Sequence, residues 1–248
     1  MFTVDRPLQD GSAAGFVLAL DTSSPVAALA VAGGGRVMAE IARPAAAHGA
    51  ALPDMVGELL ERAGLRTGDL RGLAVGTGPG SFTGLRVGIS YVKGLAIALK
   101  IPVVGVPSLD TMAAAAATAI ASPGMLICPI LDARKGEIYT ALYRVHGDAL
   151  EKLTEDLITT PEDLVPALDG EVVLVGDVRA RDAMALPAIK RAQTLEAPED
   201  CLYTRGRYVA AFGASRLALG ASDPVAALEP LYVRPVEAIF KPAAAASS

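Results

Sequence analysis

One unit of sequence occurs twice in this chain: an apolar strand that ends in aspartate, a short polar loop, and a second strand. The first copy reads FVLALD-TSSP-VAALAVA over 16–32, and the second reads MLICPILD-ARKG-EIYTALYRV over 125–145. Two copies of one strand–loop–strand unit indicate an internally duplicated fold. We expect the boundary between the two halves at residues 121–125.

The elements around the two copies alternate between strands and helices. GGG at 33–35 is typical of a tight turn into a third antiparallel strand. Apolar residues at three- and four-residue spacing predict helices, and short β-prone runs predict strands. Helices are predicted for 49–63, for 81–99, from Ser108 onward and for 207–220; further strands are predicted for 72–78, 101–106 and 172–177. This order predicts an α/β fold in which helices flank the sheets.

The glycine-rich stretch GTGPGSFTGLRVGIS at 76–90 fits neither common phosphate-binding fingerprint. It has no lysine where a P-loop requires one, and position 81 is serine where the dinucleotide motif has glycine. Ser81 is instead a good N-cap for the helix that follows. Because Gly80, Gly84 and Gly88 share one face of that helix, we expect another backbone to approach closely there. Anion binding by the helix amides is the weaker alternative.

The helix predicted for 81–99 is apolar around most of its circumference. Only Arg86, Lys93 and Lys100, seven residues apart, form a thin polar stripe. A helix of this kind has to be covered on nearly all sides. Two alternatives remain open: burial inside the chain's own fold, or contact of one face with a second subunit, beside the helix at 49–63.

Composition and charge argue against several classes of protein. A net charge of −5 and sparse arginines argue against strong independent RNA binding, which needs a dense basic patch. Two cysteines that are far apart in sequence suit a reducing compartment rather than a disulfide framework. No signal-peptide pattern begins the chain, and the apolar segment at 87–99 is short for a bilayer span. We therefore expect a cytoplasmic protein.

Asp21 and Asp132, which end the first strand of each copy, are the strongest candidates for ligand binding. Paired strand-end carboxylates across a cleft can position a metal–nucleotide complex, while loop N–H groups cradle its phosphates. The alternative is that each aspartate only begins a turn. The predicted nucleotide-binding residues are Asp21, Thr22, Ser23, Asp132, Gly176 and Asp177.

Side chains suited to catalysis are few. The two histidines, His48 and His146, are distant in sequence, and neither has a second histidine at metal-ligand spacing. The G-x-S-x-G nucleophile motif is absent around Ser81. No catalytic residue and no metal site are predicted.

Four segments together resemble the TsaB family of bacterial tRNA threonylcarbamoyladenosine biosynthesis proteins. They are LALDTSS at 18–24, GTGPGSFTGLRVGISYVKGLA at 76–96, VPSLDTMA at 106–113 and LDARKGEIYTALY at 131–143. EPLYVRP at 229–235 is similar to the family's ending, so the resemblance extends over residues 16–240.

The resemblance implies the duplicated actin/sugar kinase/Hsp70-like (ASKHA) fold, an α/β fold of two related subdomains. Each subdomain of that fold holds a mixed sheet flanked by helices. On this basis we expect a flexible N-terminal extension at 1–15, an N-terminal subdomain with the partner interface at 16–122, a C-terminal subdomain at 123–240 and a disordered tail at 241–248.

The resemblance also implies a non-catalytic subunit, required for threonylcarbamoylation of the adenosine beside the tRNA anticodon. Such a subunit pairs with its catalytic paralogue TsaD, acts together with TsaE, forms a homodimer when alone, and meets tRNA only through the complex. It implies no membrane contact and no obligatory cofactor, with ATP or ADP expected only in the assembled complex. The alternatives left open are an independent nucleotide-dependent kinase or ATPase, a metalloprotease, for which zinc ligands are lacking, and a purely structural homodimer.

Individual positions carry two further implications of the resemblance. Ser108 and Met112 stand where TsaD holds its two metal-binding histidines, and neither side chain can replace imidazole as a ligand. Pairing in the family uses the first helices of the N-terminal half. The resemblance therefore implies that the glycine-rich stretch serves chiefly for packing and as an interface. The predicted interface residues are Leu52, Met55, Leu59, Phe82, Gly84, Arg86, Gly88, Tyr91 and Leu95.

Overall fold

The structure, a computed structural model, describes most of the chain. The described residues are 2–3, 15–44, 48–120, 122–147, 149–176, 193–196 and 201–233. The predicted tail at 241–248 lies outside them. Of the predicted extension at 1–15, only residues 2–3 and 15 are described.

The first sheet has five strands, ordered β4-β3-β2-β5-β6. They are β2 (Phe16–Asp21), β3 (Val26–Gly33), β4 (Arg36–Pro44), β5 (Leu70–Gly78) and β6 (Val103–Pro107). β2 and β4 each run antiparallel to β3, which lies between them, while β2, β5 and β6 run parallel. The predicted three-strand antiparallel opening is therefore confirmed, as are the strands predicted for 72–78 and 101–106.

Helices cover both faces of this sheet. Helices α1 (His48–Ala63) and α2 (Phe82–Leu99) pack on one face, where α1 buries a stripe of large apolar side chains against the strands. Helix α5 (Gly206–Ala218) packs on the other face against strands rich in alanine and valine. Helix α5 comes from the second half of the sequence, so the second half contributes to the core of the first sheet.

Within the described part of the chain, the second sheet has eight strands. They are β1 (Phe2–Thr3), β7 (Leu126–Arg134), β8 (Glu137–Thr140), β9 (Tyr143–His146), β10 (Ala149–Lys152), β11 (Leu157–Thr159), β12 (Glu171–Gly176) and β13 (Gln193–Glu196). Helix α3 (Ser108–Ile120) packs on one face, and the short helix α4 (Pro161–Leu164) packs on the other. Strands β7, β12 and β13 run parallel, as β2, β5 and β6 do in the first sheet.

The strand predicted for 137–145 is divided into β8 and β9. The division falls at residues 141–142, where the pairing partner changes: β8 pairs with β11, whereas β9 pairs with β10. In both sheets the strand that carries the aspartate pairs antiparallel with its hairpin partner and parallel with a later strand. This repetition confirms the predicted duplicated α/β fold, with two mixed sheets flanked by helices.

Candidate functional site

Asp21, at the end of β2, is fully buried, with an exposed fraction of 0%. One carboxylate oxygen accepts a hydrogen bond from the Ser23 backbone N–H at 2.6 Å. The other accepts a hydrogen bond from the Ser108 hydroxyl, also at 2.6 Å. The Ser108 hydroxyl in turn accepts one from the Gly78 backbone N–H at 3.1 Å. Protein groups therefore satisfy this carboxylate, and they tie β2 to the start of α3.

The start of α2 covers the loop after Asp21. The Ser81 backbone N–H donates to the Ser23 carbonyl at 2.6 Å. The Thr22 hydroxyl donates to the Gly84 carbonyl at 2.7 Å, and the Ser81 hydroxyl accepts from the Gly84 N–H. The last bond confirms Ser81 as the N-cap of α2. Thr22 and Ser23 are buried beneath this cover.

Glycines make this close approach sterically possible. A Cβ on Gly84 would overlap the Thr22 carbonyl, and one on Gly88 would overlap the Thr22 hydroxyl. A Cβ on Gly80 would overlap the Ser23 carbonyl. The predicted approach of another backbone is therefore confirmed. That backbone belongs to the chain itself, so the assignment of Gly84 and Gly88 to a partner interface is corrected.

The opposite face of α2 is exposed. Phe82 is 51% exposed near the start of the helix and Ile97 is 68% exposed near its end. Ser90 and Gly94 lie between them on the same face, and both are exposed. Complete burial of this helix inside the fold is therefore wrong: the face that carries the polar stripe is open, and Phe82 and Ile97 are its exposed large apolar side chains. Tyr91 and Leu95 are half-buried at its edge, and burial raises the pKa of Tyr91.

Helix α2 is also long and apolar enough to cross a membrane, judged by length and composition alone. About a third of it is buried in the fold. Helices packed within folded proteins can pass the same test, so this finding is weak evidence.

The α1 residues predicted at the interface lie in the core. Leu52, Met55 and Leu59 are all buried in the cluster between α1, α2 and the first sheet. Burial of such side chains contributes about 2 kcal/mol each to folding. Because they have no surface to offer a partner, their assignment to the interface is corrected. Any contact made by α1 has to come from its opposite face.

A cation–aromatic cluster stands at the exposed start of α2. The guanidinium carbon of Arg86 lies 3.9 Å from the centroid of the Phe82 ring. The Tyr232 ring centroid is 6.1 Å from that of Phe82, and Arg86 donates to the Tyr232 hydroxyl at 3.5 Å. The Leu231 N–H anchors this segment on the Thr77 carbonyl. Tyr232 was not predicted at a site, although it lies in the EPLYVRP segment that carries part of the resemblance.

The loop after Asp132 is open by contrast. The Asp132 side chain is 31% exposed and accepts a hydrogen bond from the Arg134 backbone N–H at 2.8 Å. Arg134 and Lys135 are exposed, and both have left-handed backbone conformations, with φ of 75° and 54°. This carboxylate and its two neighbouring cations are accessible to solvent.

The remaining predicted nucleotide-binding positions form no open cradle. Gly176 is buried at the end of β12, where a Cβ would overlap the Ile130 carbonyl. Asp177 lies outside the described residues. Together with the burial of the Asp21 loop, this leaves Asp132 as the accessible member of the predicted set among the described residues. As arranged here, the buried members of the set have no surface to offer a nucleotide, and the assignment of the whole set stays a prediction.

Ser108 and Met112, which the resemblance aligns with metal-binding histidines, make structural contacts instead. Ser108 bonds to Asp21, and Met112 is buried in the core of the second sheet. His146 pairs with Glu151 at the surface, at 2.8 Å. Within the described residues, no group of three or more His, Cys, Asp or Glu side chains is placed to hold a metal ion.

A partly buried ionic network ties α3 to the second sheet. Lys152 donates to Asp110 at 2.7 Å and to Asp156 at 2.6 Å, and the Tyr143 hydroxyl donates to Asp110 at 2.7 Å. Burial would lower the pKa of Lys152, but the two carboxylates outweigh it and raise that pKa. Burial raises the pKa of Asp156 despite Lys152, and it raises the pKa of Tyr143 as well. Since Asp110 is two residues after Ser108, the network anchors the helix that holds Asp21.

Known proteins resemble this chain in sequence and in structure. It matches the family model of TsaD, tRNA N6-adenosine threonylcarbamoyltransferase, over residues 22–201. It is 34% identical over 166 residues to tRNA threonylcarbamoyladenosine biosynthesis protein TsaB of Escherichia coli K12, covering 64% of this chain and 70% of that protein. Identity to TsaB of Bacillus subtilis is 38% over 141 residues, covering 56% and 60% of the two chains. A solved structure of YeaZ from Pseudomonas aeruginosa superposes with a TM-score of 0.73 at 26% identity, covering 88% of this chain and 99% of that one.

Proposed function

The chain belongs to the TsaB family of tRNA threonylcarbamoyladenosine biosynthesis proteins, and from that premise we propose that it is a non-catalytic subunit of the modifying complex. In this role it pairs with the catalytic subunit TsaD, and TsaE acts with the pair in the cytoplasm. The tRNA is met only through the assembled complex. The open face of α2 is the surface by which the chain pairs with TsaD.

The exposed face of α2, on which Phe82 and Ile97 are uncovered, carries this proposal. Large apolar side chains exposed among polar ones on one face of a folded protein are typical of an interaction site. Phe82 and Arg86 at one end supply aromatic and arginine groups, which are enriched among residues that dominate binding energy. Ile97 at the other end adds a large aliphatic side chain. Covering this face removes apolar surface from water, which favours association.

A partner built on the same domain is favoured by the match to the TsaD family model. Two chains of one fold present the same helix in equivalent positions, so their faces can meet about a two-fold or pseudo-two-fold axis. The same geometry allows a homodimer when TsaD is absent.

The non-catalytic part of the proposal is supported by what Ser108 and Met112 do. One locks Asp21 by a hydrogen bond and the other fills the core, so both positions serve the fold. A role for ATP or ADP belongs to the assembled complex and would require the Asp21 loop to open.

The second candidate function is an independent nucleotide-dependent enzyme. The observation that favours it is the accessible carboxylate of Asp132 beside Arg134 and Lys135. Turnover of ATP by the isolated chain, lost in Asp132→Asn, would support this candidate over the first.

Light scattering after size exclusion tests the proposal, with the chain alone and mixed with TsaD from the same organism. We expect a one-to-one species in the mixture that Ile97→Lys prevents, because a buried lysine would leave an unpaired charge in the interface. Leu219→Lys is the matched control: Leu219 is 88% exposed and, like Ile97, lies near the C-terminal end of a helix, where lysine is favourable. If both variants pair with TsaD like the wild type, α2 is not the interface.

A further inference from the structure

Arg86 lies on the face of α2 that the described protein leaves open. At 3.6 residues per turn, it falls within about 40° of both Phe82 and Ile97 around the helix axis. All three side chains are exposed. A partner that covers the two apolar side chains therefore also covers the guanidinium group of Arg86.

The described part of the chain offers Arg86 no carboxylate. Its guanidinium carbon lies 3.9 Å from the centroid of the Phe82 ring, and among the described residues the group donates one hydrogen bond, to the Tyr232 hydroxyl at 3.5 Å. Glu229, three residues before Tyr232, is exposed and does not pair with Arg86. The guanidinium is therefore held by an aromatic ring and a phenol, and neither of them neutralises its charge.

Arg86 and Tyr232 present hydrogen-bond donors side by side. A guanidinium has five N–H groups, and a ring stacked on its face leaves them at its edge. Because the Tyr232 oxygen accepts from Arg86, its own O–H can donate to a further group, and this side chain is 56% exposed. Two neighbouring donors match the two oxygens of one carboxylate, and the charge of Arg86 strengthens the interaction.

Covering Arg86 makes an anionic partner group necessary. A charge that is buried without a counterion costs binding free energy, whereas a hydrogen-bonded ion pair offsets most of that cost. Lys93, on the same face, donates to the Ala226 carbonyl, which carries no net charge. A second copy whose α2 packed here would bring further cations to the interface. A phosphate of RNA is the less favoured anion, since the net charge of −5 repels a polyanion.

We propose that Arg86 and Tyr232 together bind one carboxylate of TsaD, an aspartate or glutamate on the surface that meets α2. This inference rests on the proposed pairing with TsaD and names the chemistry that TsaD has to present there. Phe82 supports the guanidinium from one side. The hydrogen bond from the Leu231 N–H to the Thr77 carbonyl, at 2.7 Å, fixes the segment that carries Tyr232.

Calorimetric titration of the full chain with TsaD from the same organism tests the inference. We expect Arg86→Gln to raise the dissociation constant at least about thirtyfold, because it leaves the carboxylate of TsaD buried without its counterion. Tyr232→Phe, which removes only a hydroxyl, should raise it about tenfold. Arg36→Gln removes an exposed guanidinium at the start of β4. It is the matched control and should pair with TsaD like the wild type.

Arg86→Lys separates charge pairing from packing on Phe82. It keeps the positive charge and a donor, so it should weaken pairing less than Arg86→Gln does. Equal losses would mean that Arg86 acts by packing alone, contrary to the inference. In the mixture with TsaD, a zero-length carbodiimide should join position 86 of this variant to an aspartate or glutamate of TsaD, which mass spectrometry identifies. A complex in which position 86 forms no such link would also contradict the inference.

The outcomes distinguish this inference from the proposed function. If Arg86→Gln and Tyr232→Phe pair as tightly as the wild type, the carboxylate site is wrong, whereas pairing through α2, scored by Ile97→Lys, still stands. If the wild type forms no complex with TsaD, both proposals fail. Binding of tRNA to the chain alone that Arg86→Gln abolishes would assign the two donors to a phosphate and overturn the inference. Urea unfolding verifies that each variant is folded.

Discussion

Asp21 ends β2 and Asp132 lies two residues before the end of β7, and each carboxylate accepts a hydrogen bond from the backbone N–H two residues later. Their surroundings differ. Asp21 is sealed beneath the start of α2 and bonded to Ser108, whereas Asp132 is 31% exposed beside two cations. The local turn is repeated in the two halves, but its accessibility is not.

The difference shows which part of the sequence decides whether a strand-end aspartate can meet a ligand. The Asp-x-x turn needs only local residues. Closure of the first turn depends on Gly84 and Gly88, more than sixty residues away, because only glycine lets α2 sit on the loop. The same helix presents its other face to solvent, so one element closes the Asp21 loop and carries the proposed interface.

The largest difference between the two loops is expected in unfolding free energy when each carboxylate is removed in turn. We expect Asp21→Ala to lower the free energy of unfolding by about 2–4 kcal/mol, because it leaves buried partners without their acceptor. Asp132→Ala should lower it by less than about 1 kcal/mol, since that side chain is partly solvated. Urea titrations of both variants check the difference. Equal losses would mean that the two loops are energetically alike.

The next largest change in stability is expected at the glycines by which α2 contacts the Asp21 loop. Gly84→Ala should cost about 1–3 kcal/mol in unfolding free energy, because the added methyl overlaps the Thr22 carbonyl. Gly94 lies on the exposed face of the same helix with open space around it, so Gly94→Ala should stabilise by up to about 1 kcal/mol. Denaturant midpoints of the pair provide the measurement. A gain of stability in both variants would show that α2 does not rest on the loop.

The ionic network anchors the helix that locks Asp21, and its contribution should depend on pH. Lys152 has a folded pKa above its ordinary value of 10.5, so its stabilisation is fully present below pH 10.5. It is lost as the pH rises through the folded value. We expect Lys152→Met to cost about 1–2 kcal/mol at pH 7 and progressively less above pH 10.5. Unfolding curves at several pH values measure this, and a loss that is independent of pH would rule out the ionic explanation.

The smallest expected effect concerns the open loop. Lys135 holds a left-handed conformation directly before Gly136, which also has positive φ. Asn-Gly is the preferred pair for such a turn, so Lys135→Asn should raise stability by up to about 1 kcal/mol. Thermal unfolding measures the change. A lower midpoint would indicate that the Lys135 side chain makes a contact worth more than the backbone preference.

Much of the fold could be predicted from local sequence. The pattern placed the second helix at 81–99, and the structure has it at Phe82–Leu99 with Ser81 as its cap. Periodicity and turn residues suffice for such elements because they depend on neighbours in sequence. The duplicated hairpins could be recognised for the same reason.

The site was less predictable because it depends on distant contacts. The bond from Ser108 to Asp21 joins residues 87 positions apart, and no local pattern indicates it. The apolar α1 stripe was predicted at an interface, although Leu52 and Leu59 pack against the chain's own sheet. Periodicity identifies a face that must be covered, but it does not say by what. The packing of α5 on the first sheet was not predicted either, because it too joins segments that are distant in sequence.

The central claim is that α2 uses its inner face to close the Asp21 loop and its outer face to meet TsaD. Hydroxyl-radical footprinting, read by mass spectrometry, tests it most directly on the chain alone and mixed with TsaD. We predict that Phe82 and Ile97 are labelled in the free chain and protected in the mixture, while Leu219 is labelled equally in both. Formation of the complex with unchanged labelling at Ile97 would contradict the claim.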